Sequence, residues 1–238
     1  MQNLGTHLVV RASLLLLLAI VGCKPASKND AKPEPAVPSN VANREWDASA
    51  QEKVHPLGTF IVESGKLIVS DPCYEPPEAD GKNSINGLLS NVKLGAWKAE
   101  VSKIDAGDWG KRCAELRVHH QDHPPAVADQ WITAMFVVGV DAGQAGVFEQ
   151  RVFGNDATIP KDFFAKEPPL VPETMWYSMC CQHTLSELSA GVVPGGAVSS
   201  SGYGDGAYEC FYRVNKAAEI VGVKIVFLTK KDLREPAP

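Results

Sequence analysis

Ser200-Ser201-Gly202-Tyr203-Gly204-Asp205-Gly206-Ala207-Tyr208 decides how the chain is read, because three alternating glycines frame one aspartate. Glycine reaches positive φ without a steric penalty and lets other backbone come close, so the stretch predicts a shaped turn between two strands. Ala197–Ser200 leads into it and Tyr208–Arg213 leaves it. Asn215–Ala218 turns the chain again, and Glu219–Leu228 returns with Val223, Ile225 and Phe227 alternating against Lys224. The period of two predicts a closing β-hairpin.

Upstream, the nearly unbroken apolar run Trp131–Val140 predicts a strand at the centre of the sheet, ending at Asp141-Ala142-Gly143-Gln144-Ala145-Gly146. Cys113–His119 sets Ala114, Leu116 and Val118 against Glu115, Arg117 and His119, the pattern of a half-buried antiparallel strand. Val92–Ile104 carries mixed alternation around Trp97 and Val101. Thr59–Glu63 and Lys66–Ser70, separated only by Ser64-Gly65, predict an opening hairpin. Pro72 and Pro76-Pro77 then break the ladder, so Pro76–Asn91 is expected to be mostly loop. Pro160–Lys166 is expected to form one or two helical turns. Thr174–Leu188 predicts the main helix, with Thr174 as cap and an apolar stripe of Met175, Trp176, Met179, Cys180 and His183. Strands at both ends with one late helix predict an α+β fold dominated by antiparallel β-sheet, sandwich-like or a partly closed barrel, with the helix near 174–188.

The first residues read as a targeting signal. His7 and Arg11 precede the apolar run Ala12–Val21, too short to span a bilayer stably. The run ends in Ile20-Val21-Gly22-Cys23, which resembles a bacterial lipobox: Cys23 is then the attachment point of a palmitate-type lipid anchor. Lys24 follows, in place of the aspartate associated with inner-membrane retention, so the expected location is the outer membrane of the cell envelope, with the domain facing the periplasm. Lys24–Lys53 is rich in Pro, Ala, Ser and Asn and cannot bury enough apolar surface to offset its ordering entropy. The expected organisation is a lipoprotein signal peptide over 1–22, a disordered lipidated tether over 23–56, one globular β-rich domain over 57–230 and a C-terminal tail over 231–238.

An apolar content of 45% can supply a core for a domain of that size. The formal net charge is −5, becoming −6 when Arg11 leaves with the leader, and no run of lysine or arginine occurs, so nucleic acid is not an expected partner.

Three ordered motifs carry a family resemblance: Ser64-Gly65-Lys66-Leu67-Ile68-Val69-Ser70-Asp71-Pro72-Cys73-Tyr74, Val140-Asp141-Ala142-Gly143-Gln144-Ala145-Gly146, and Ser201-Gly202-Tyr203-Gly204-Asp205-Gly206-Ala207-Tyr208. In this order, over about Leu57–Leu228, they resemble a bacterial family known as domain of unknown function 4241. The resemblance implies no particular activity, and the chain departs from the usual cytoplasmic members in its lipoprotein leader and cysteine-rich helix.

Four constellations could carry chemistry. Cys73, beside Asp71 and Tyr74, is either a nucleophile awaiting a histidine or, in an oxidising compartment, half of a disulfide. His119, His120, Asp122 and His123 are metal-ligand types, although adjacent residues on a strand point to opposite faces. Asp71, Asp141, Gln144 and Asp205 sit at strand ends; if those ends meet, they could hold a divalent cation, calcium or magnesium, or bind a polar ligand with Tyr74, Tyr203 and Tyr208. The plainer reading has each aspartate bonding its own turn. Finally, Cys73, Cys113, Cys180, Cys181 and Cys210 remain after lipidation of Cys23, an odd number. With no nucleophile–base spacing in view, the expected function is a non-catalytic binding domain whose partner is an envelope protein or small polar ligand. The alternative is a hydrolase-type enzyme using Asp71, Asp141 and Asp205, with or without a metal.

Overall fold

A computed structural model describes residues 53–77, 85–229 and Asp232, all within one compact unit. The expected leader, nearly all of the tether and the tail except Asp232 lie outside the described residues. Among the described residues, eleven strands and one α-helix follow in chain order: β1 (Lys53–Val62), β2 (Lys66–Ser70), β3 (Gly87–Ser90), β4 (Gly95–Asp105), β5 (Lys111–His120), β6 (Ile132–Val140), β7 (Gln144–Glu149), α1 (Met175–Thr184), β8 (Ala190–Val193), β9 (Gly196–Ser200), β10 (Gly206–Val214) and β11 (Ile220–Val226). They form two antiparallel sheets, one ordered β1-β4-β5-β11-β10-β6 and the other β3-β2-β7-β9-β8. This is the expected α+β sandwich and not a closed barrel.

Two apolar clusters make three layers. Trp97, Val101, Leu116, Val118, Val223 and Ile225 of the six-stranded sheet meet Leu67, Val69, Val147 and Ala197 of the five-stranded sheet. On the opposite face of that smaller sheet, Ile68, Phe148 and Val198 pack against Trp176, Met179 and Cys180 of α1. The smaller sheet is therefore covered on both faces, and every residue of β7 is buried.

That double burial explains where the chain departs from expectation. The apolar run Leu67–Val69 needs cover on both faces, so β2 sits inside the smaller sheet between β3 and β7. β1, with Phe60 and Val62 buried but Thr59 and Ile61 exposed, edges the larger sheet against β4. Ser64-Gly65 is thus a crossover between sheets and not a hairpin turn; Gly65 adopts φ +71°, and Glu149 Oε1 accepts the Ser64 amide at 2.8 Å. The Gly-rich Ser201–Asp205 segment crosses likewise, from β9 in one sheet to β10 in the other. β1 begins at Lys53, inside the span expected to be tether, because an edge strand accommodates Pro56 with a bulge between Pro56 and Gly58. β3 forms inside the expected loop. β6 lies at an edge and not at the centre: its apolar residues face both ways, but only one face meets core. Pro160–Lys166 forms turns only, with Phe163 N donating to Pro160 O. α1 ends at Thr184, and its N-terminus is capped by Asp156 Oδ1, which accepts the Trp176 amide at 2.7 Å, and not by the Thr174 side chain.

The outer face of the larger sheet is charged, and β5 is buried on both sides, Glu115 and His119 included, which corrects its reading as half-buried. Lys98, His119, Gly222 and Arg213 stand side by side across β4, β5, β11 and β10. Glu100, Arg117, Lys224 and Phe211 form the next row. Arg117 bridges Glu100 at 3.2 Å and pairs with Glu115, while Lys224 stands 3.6 Å from the other Glu115 oxygen. Gly222 makes this possible, since a Cβ there would come within 2.6 Å of Arg213 Nε. Trp131 lies over the network, with Lys224 Nζ 4.7 Å from its ring centre. Burial lowers His119 to about 4, reinforced by the charges of Arg213, Arg117, Lys98 and His120.

The folded state thus holds His119 neutral while an unfolded chain protonates it near 6.5. Stability contributed by this difference is present above about pH 6.5 and is lost as pH falls towards 4. Thermal melts across that window should show a shallower decline for His119→Gln than for the wild-type protein, by up to one proton's worth of slope. Parallel profiles would place the titration elsewhere.

Candidate site where four turns meet

β2 runs into Asp71, whose side chain is wholly buried yet fully bonded. Its Oδ1 accepts the Cys73 amide at 2.9 Å, closing a local turn around Pro72. Its Oδ2 accepts the amides of Asp141 at 3.0 Å and Ala142 at 2.7 Å, tying that turn to the β6–β7 turn. Three N–H donors converging on one carboxylate compensate a burial that would otherwise be costly. Gly143, at φ +65°, extends the chain of contacts: its amide donates to Asp205 Oδ1 at 3.2 Å and its carbonyl accepts the Ser201 amide at 3.0 Å.

The third turn, Ser201–Asp205, is held shut from within. Ser201 Oγ donates to Gly204 O at 2.7 Å, and the Tyr208 hydroxyl lies 2.6 Å from Gly204 O and 2.9 Å from Ser201 O. Gly202 has φ +60°, and a Cβ there would approach Leu228 Cγ to 2.8 Å, so both backbone and space require glycine. Tyr203 projects outward to meet Trp109, edge to face at 5.7 Å between ring centres. Trp109 belongs to a 3₁₀ turn, Gly107–Trp109, linking β4 and β5. Both rings are exposed, Trp109 by 57% and Tyr203 by 45%.

The strand-end residues therefore divide. Asp141, Asp205 and Tyr203 are exposed and Tyr74 is half-buried. Burial first, then the neighbouring Asp141 carboxylate, pushes the Tyr74 pKa up. Asp71 is occupied by backbone. Tyr208 is a strut of the turn, not a free ligand group. Gln144 is also turned away, being 2% exposed, with Nε2 on Cys181 Sγ at 3.3 Å and Oε1 accepting from Thr184 Oγ1 at 3.3 Å. It fastens β7 to α1.

Cys73 is exposed, but burial of the thiol itself, its bond to Asp71 and the charges of Asp71 and Asp141 push its pKa up to about 12. A thiol held protonated near neutral pH is a poor nucleophile, which speaks against that reading. The five cysteines among the described residues are free. His119 and His120 point to opposite faces. His120 Nδ1 accepts the Asp122 amide at 3.2 Å, leaving Nε2 to donate to Leu94 O at 3.0 Å. His123 stacks at a tilt 5.6 Å from His120. Among the described residues no three His, Cys, Asp or Glu side chains converge as metal ligands. Trp109 belongs to none of the motifs; its signal in the sequence is its place in Gly107-Asp108-Trp109-Gly110, an aromatic residue displayed between turn glycines.

The family described as Protein of unknown function (DUF4241) matches residues 60–225, which include all four turns. The chain belongs to this family. No curated protein and no solved structure matches the chain. The family's matched span opens in β1 and closes in β11, so it takes in both sheets and α1.

Asp71→Ala would leave the amides of Cys73, Asp141 and Ala142 without their acceptor, at a cost of about 3 kcal/mol or more. Denaturant unfolding should show that loss, with Asp71→Asn intermediate because one acceptor oxygen survives. A change within about 0.5 kcal/mol for Asp71→Ala would mean that the turns hold together without the carboxylate.

Proposed function

We propose that this family member is a non-catalytic binding domain of a cell-envelope lipoprotein, anchored to the outer membrane through Cys23 and facing the periplasm. Its ligand is a small polar molecule of the envelope, gripped at the four-turn corner. The observation that carries this reading is the exposed Trp109–Tyr203 pair, whose Tyr203 shares with the exposed carboxylates of Asp141 and Asp205 the turns that Asp71 and Gly143 lock together. Exposed aromatic faces beside fixed polar groups suit a ligand with an apolar ring face and a hydroxylated rim, which is the chemistry of a saccharide.

The same geometry disfavours the hydrolase reading. A general base must reach the proton it abstracts, and Asp71 is enclosed with its oxygens engaged. Cys73 lacks thiolate character, and the sheet-end corner contains no histidine among the residues that bond within it.

Calorimetric titration of the full-length protein with soluble cell-wall glycan fragments tests the proposal. Saturable binding is expected, weakened about tenfold or more in the Trp109→Ala/Tyr203→Ala variant, whose thermal melting should stay near that of the wild type because both rings are exposed. Unchanged affinity in the double variant, absence of binding, or breakdown of the fragments by the wild-type protein would overturn it.

A further inference from the structure

The outer face of the larger sheet carries hydrogen-bonding capacity that the fold leaves unused. Among the described residues, seven buried side-chain nitrogen and oxygen atoms make no hydrogen bond. Five of them, Ser102 Oγ, Glu115 Oε2, Arg117 Nε, His119 Nδ1 and Arg213 Nε, belong to residues of this one face. A buried polar atom without a partner is costly, so such a concentration calls for a group that answers it. His119 and Arg213 are each only 6% exposed.

Three of the five are nitrogens in neighbouring positions. Arg117 and His119 project from the same side of β5, and Arg213 stands across Gly222 from His119. The guanidinium ends are engaged: Arg117 holds Glu100 and Glu115, while Arg213 Nη1 lies 3.2 Å from Asp129 Oδ2 and its Nη2 donates to His123 O. Nε is the donor left over on each arginine. Between His119 and Arg213 the sheet is bare, because Gly222 has no side chain and a Cβ there would come within 2.6 Å of Arg213 Nε. The row Lys98, His119, Gly222, Arg213 contains no carboxylate. After burial itself, the groups that lower the His119 pKa are Arg213, Arg117, Lys98 and His120, none of them acidic. The segment 121–131, which joins β5 to β6, lies over this end of the face, tied down through Arg213 and placing the Trp131 ring 5.8 Å from Arg213 Cζ.

We infer that a small oxoanion, a phosphate or a carboxylate, is held at this end of the face by Arg213 Nε, His119 Nδ1 and Arg117 Nε. Arginine Nε is always a donor, and a neutral imidazole donates from Nδ1 in one of its two tautomers, so three N–H groups can meet an acceptor that has several oxygens. A cation has the wrong sign for a row of positive groups, and a neutral ligand would leave their charge unanswered. The remaining orphans, Ser102 Oγ and Glu115 Oε2, stand in the row beyond Arg117, where Lys224 Nζ faces Glu115 Oε2 at 3.6 Å, and take no part. The site is separate from the four-turn corner: Gly206 opens β10 beside the Ser201–Asp205 turn, whereas Arg213 lies near the other end of that strand, roughly 20 Å away.

Nitrogen-15 NMR of the full-length protein in detergent, titrated at neutral pH and constant ionic strength with sodium phosphate and separately with sodium acetate, tests this. The Arg213 Nε–H and His119 ring signals should move saturably with at least one of the two, and the tighter probe tells whether the site prefers a tetrahedral or a planar anion. His119→Phe and Arg213→Lys should each weaken that binding about tenfold or more. Arg213→Lys keeps the positive charge, so a loss there reports the missing Nε donor and not a change of net charge. Melting without either anion identifies any variant that does not fold, and the other variant then carries the test. Absence of any shift, which would mean that water alone serves the orphan donors, overturns the inference. So do shifts that sodium chloride reproduces, or an affinity unchanged in the folded variants.

Discussion

The architecture hinges on a buried negative charge. Asp71 stands at the end of a strand in one sheet, and its carboxylate gathers the amides of its own turn and of the β6–β7 turn, which joins the two sheets. Because a buried carboxylate without donors is expensive, the three amides and the carboxylate fix one another: none can move without stranding the rest. Gly143 passes that constraint to the third turn through Asp205 and Ser201. Function, on this reading, is mounted on backbone that would otherwise be free to fluctuate: Tyr203, Asp141 and Asp205 are left exposed on the locked turns, and Trp109 rests against Tyr203.

A second consequence concerns layering. Covering the smaller sheet with the larger on one side and α1 on the other gives it two apolar faces, while the larger sheet keeps its outer face for charge. That face is an array of paired ions under Trp131, in which Glu115 sits between Arg117 and Lys224. Desolvation offsets much of the Coulomb gain of such a network, so its net contribution to stability is small. His119, held neutral among cations, is its pH-sensitive member.

Strand positions were legible wherever the two faces differed in polarity: β5 and β11 follow from alternation, and β10 from its place between two turns. Sheet membership was not legible. Ser64-Gly65 looks like a hairpin turn because two residues with a glycine suit one, yet the same freedom lets the chain step between layers, and only the pairing of Phe60 with Trp97 and of Leu67 with Glu149 distinguishes the outcomes. Trp131–Val140 misled for a similar reason, since apolarity on both faces reports a need for cover without saying what supplies it. At the site, the glycine-flanked aspartates pointed to the right turns. Their roles were hidden, because whether Asp71 faces a ligand or three amides depends on contacts 70 and 71 residues away in sequence. Gln144 and Tyr208 have the chemistry of ligand groups and are spent on α1 and on the Gly204 carbonyl for the same reason.

Amide hydrogen exchange resolved by residue tests the central constraint most directly. Cys73, Asp141 and Ala142 lie in surface turns, where amides ordinarily exchange through small local openings. If the Asp71 carboxylate locks them, all three should exchange as slowly as the interior strand amides of β7 and respond to denaturant with the same steep dependence. Rapid, denaturant-insensitive exchange at Asp141 and Ala142 in the wild-type protein would show that the turns open independently and that no rigid corner exists to carry a binding site.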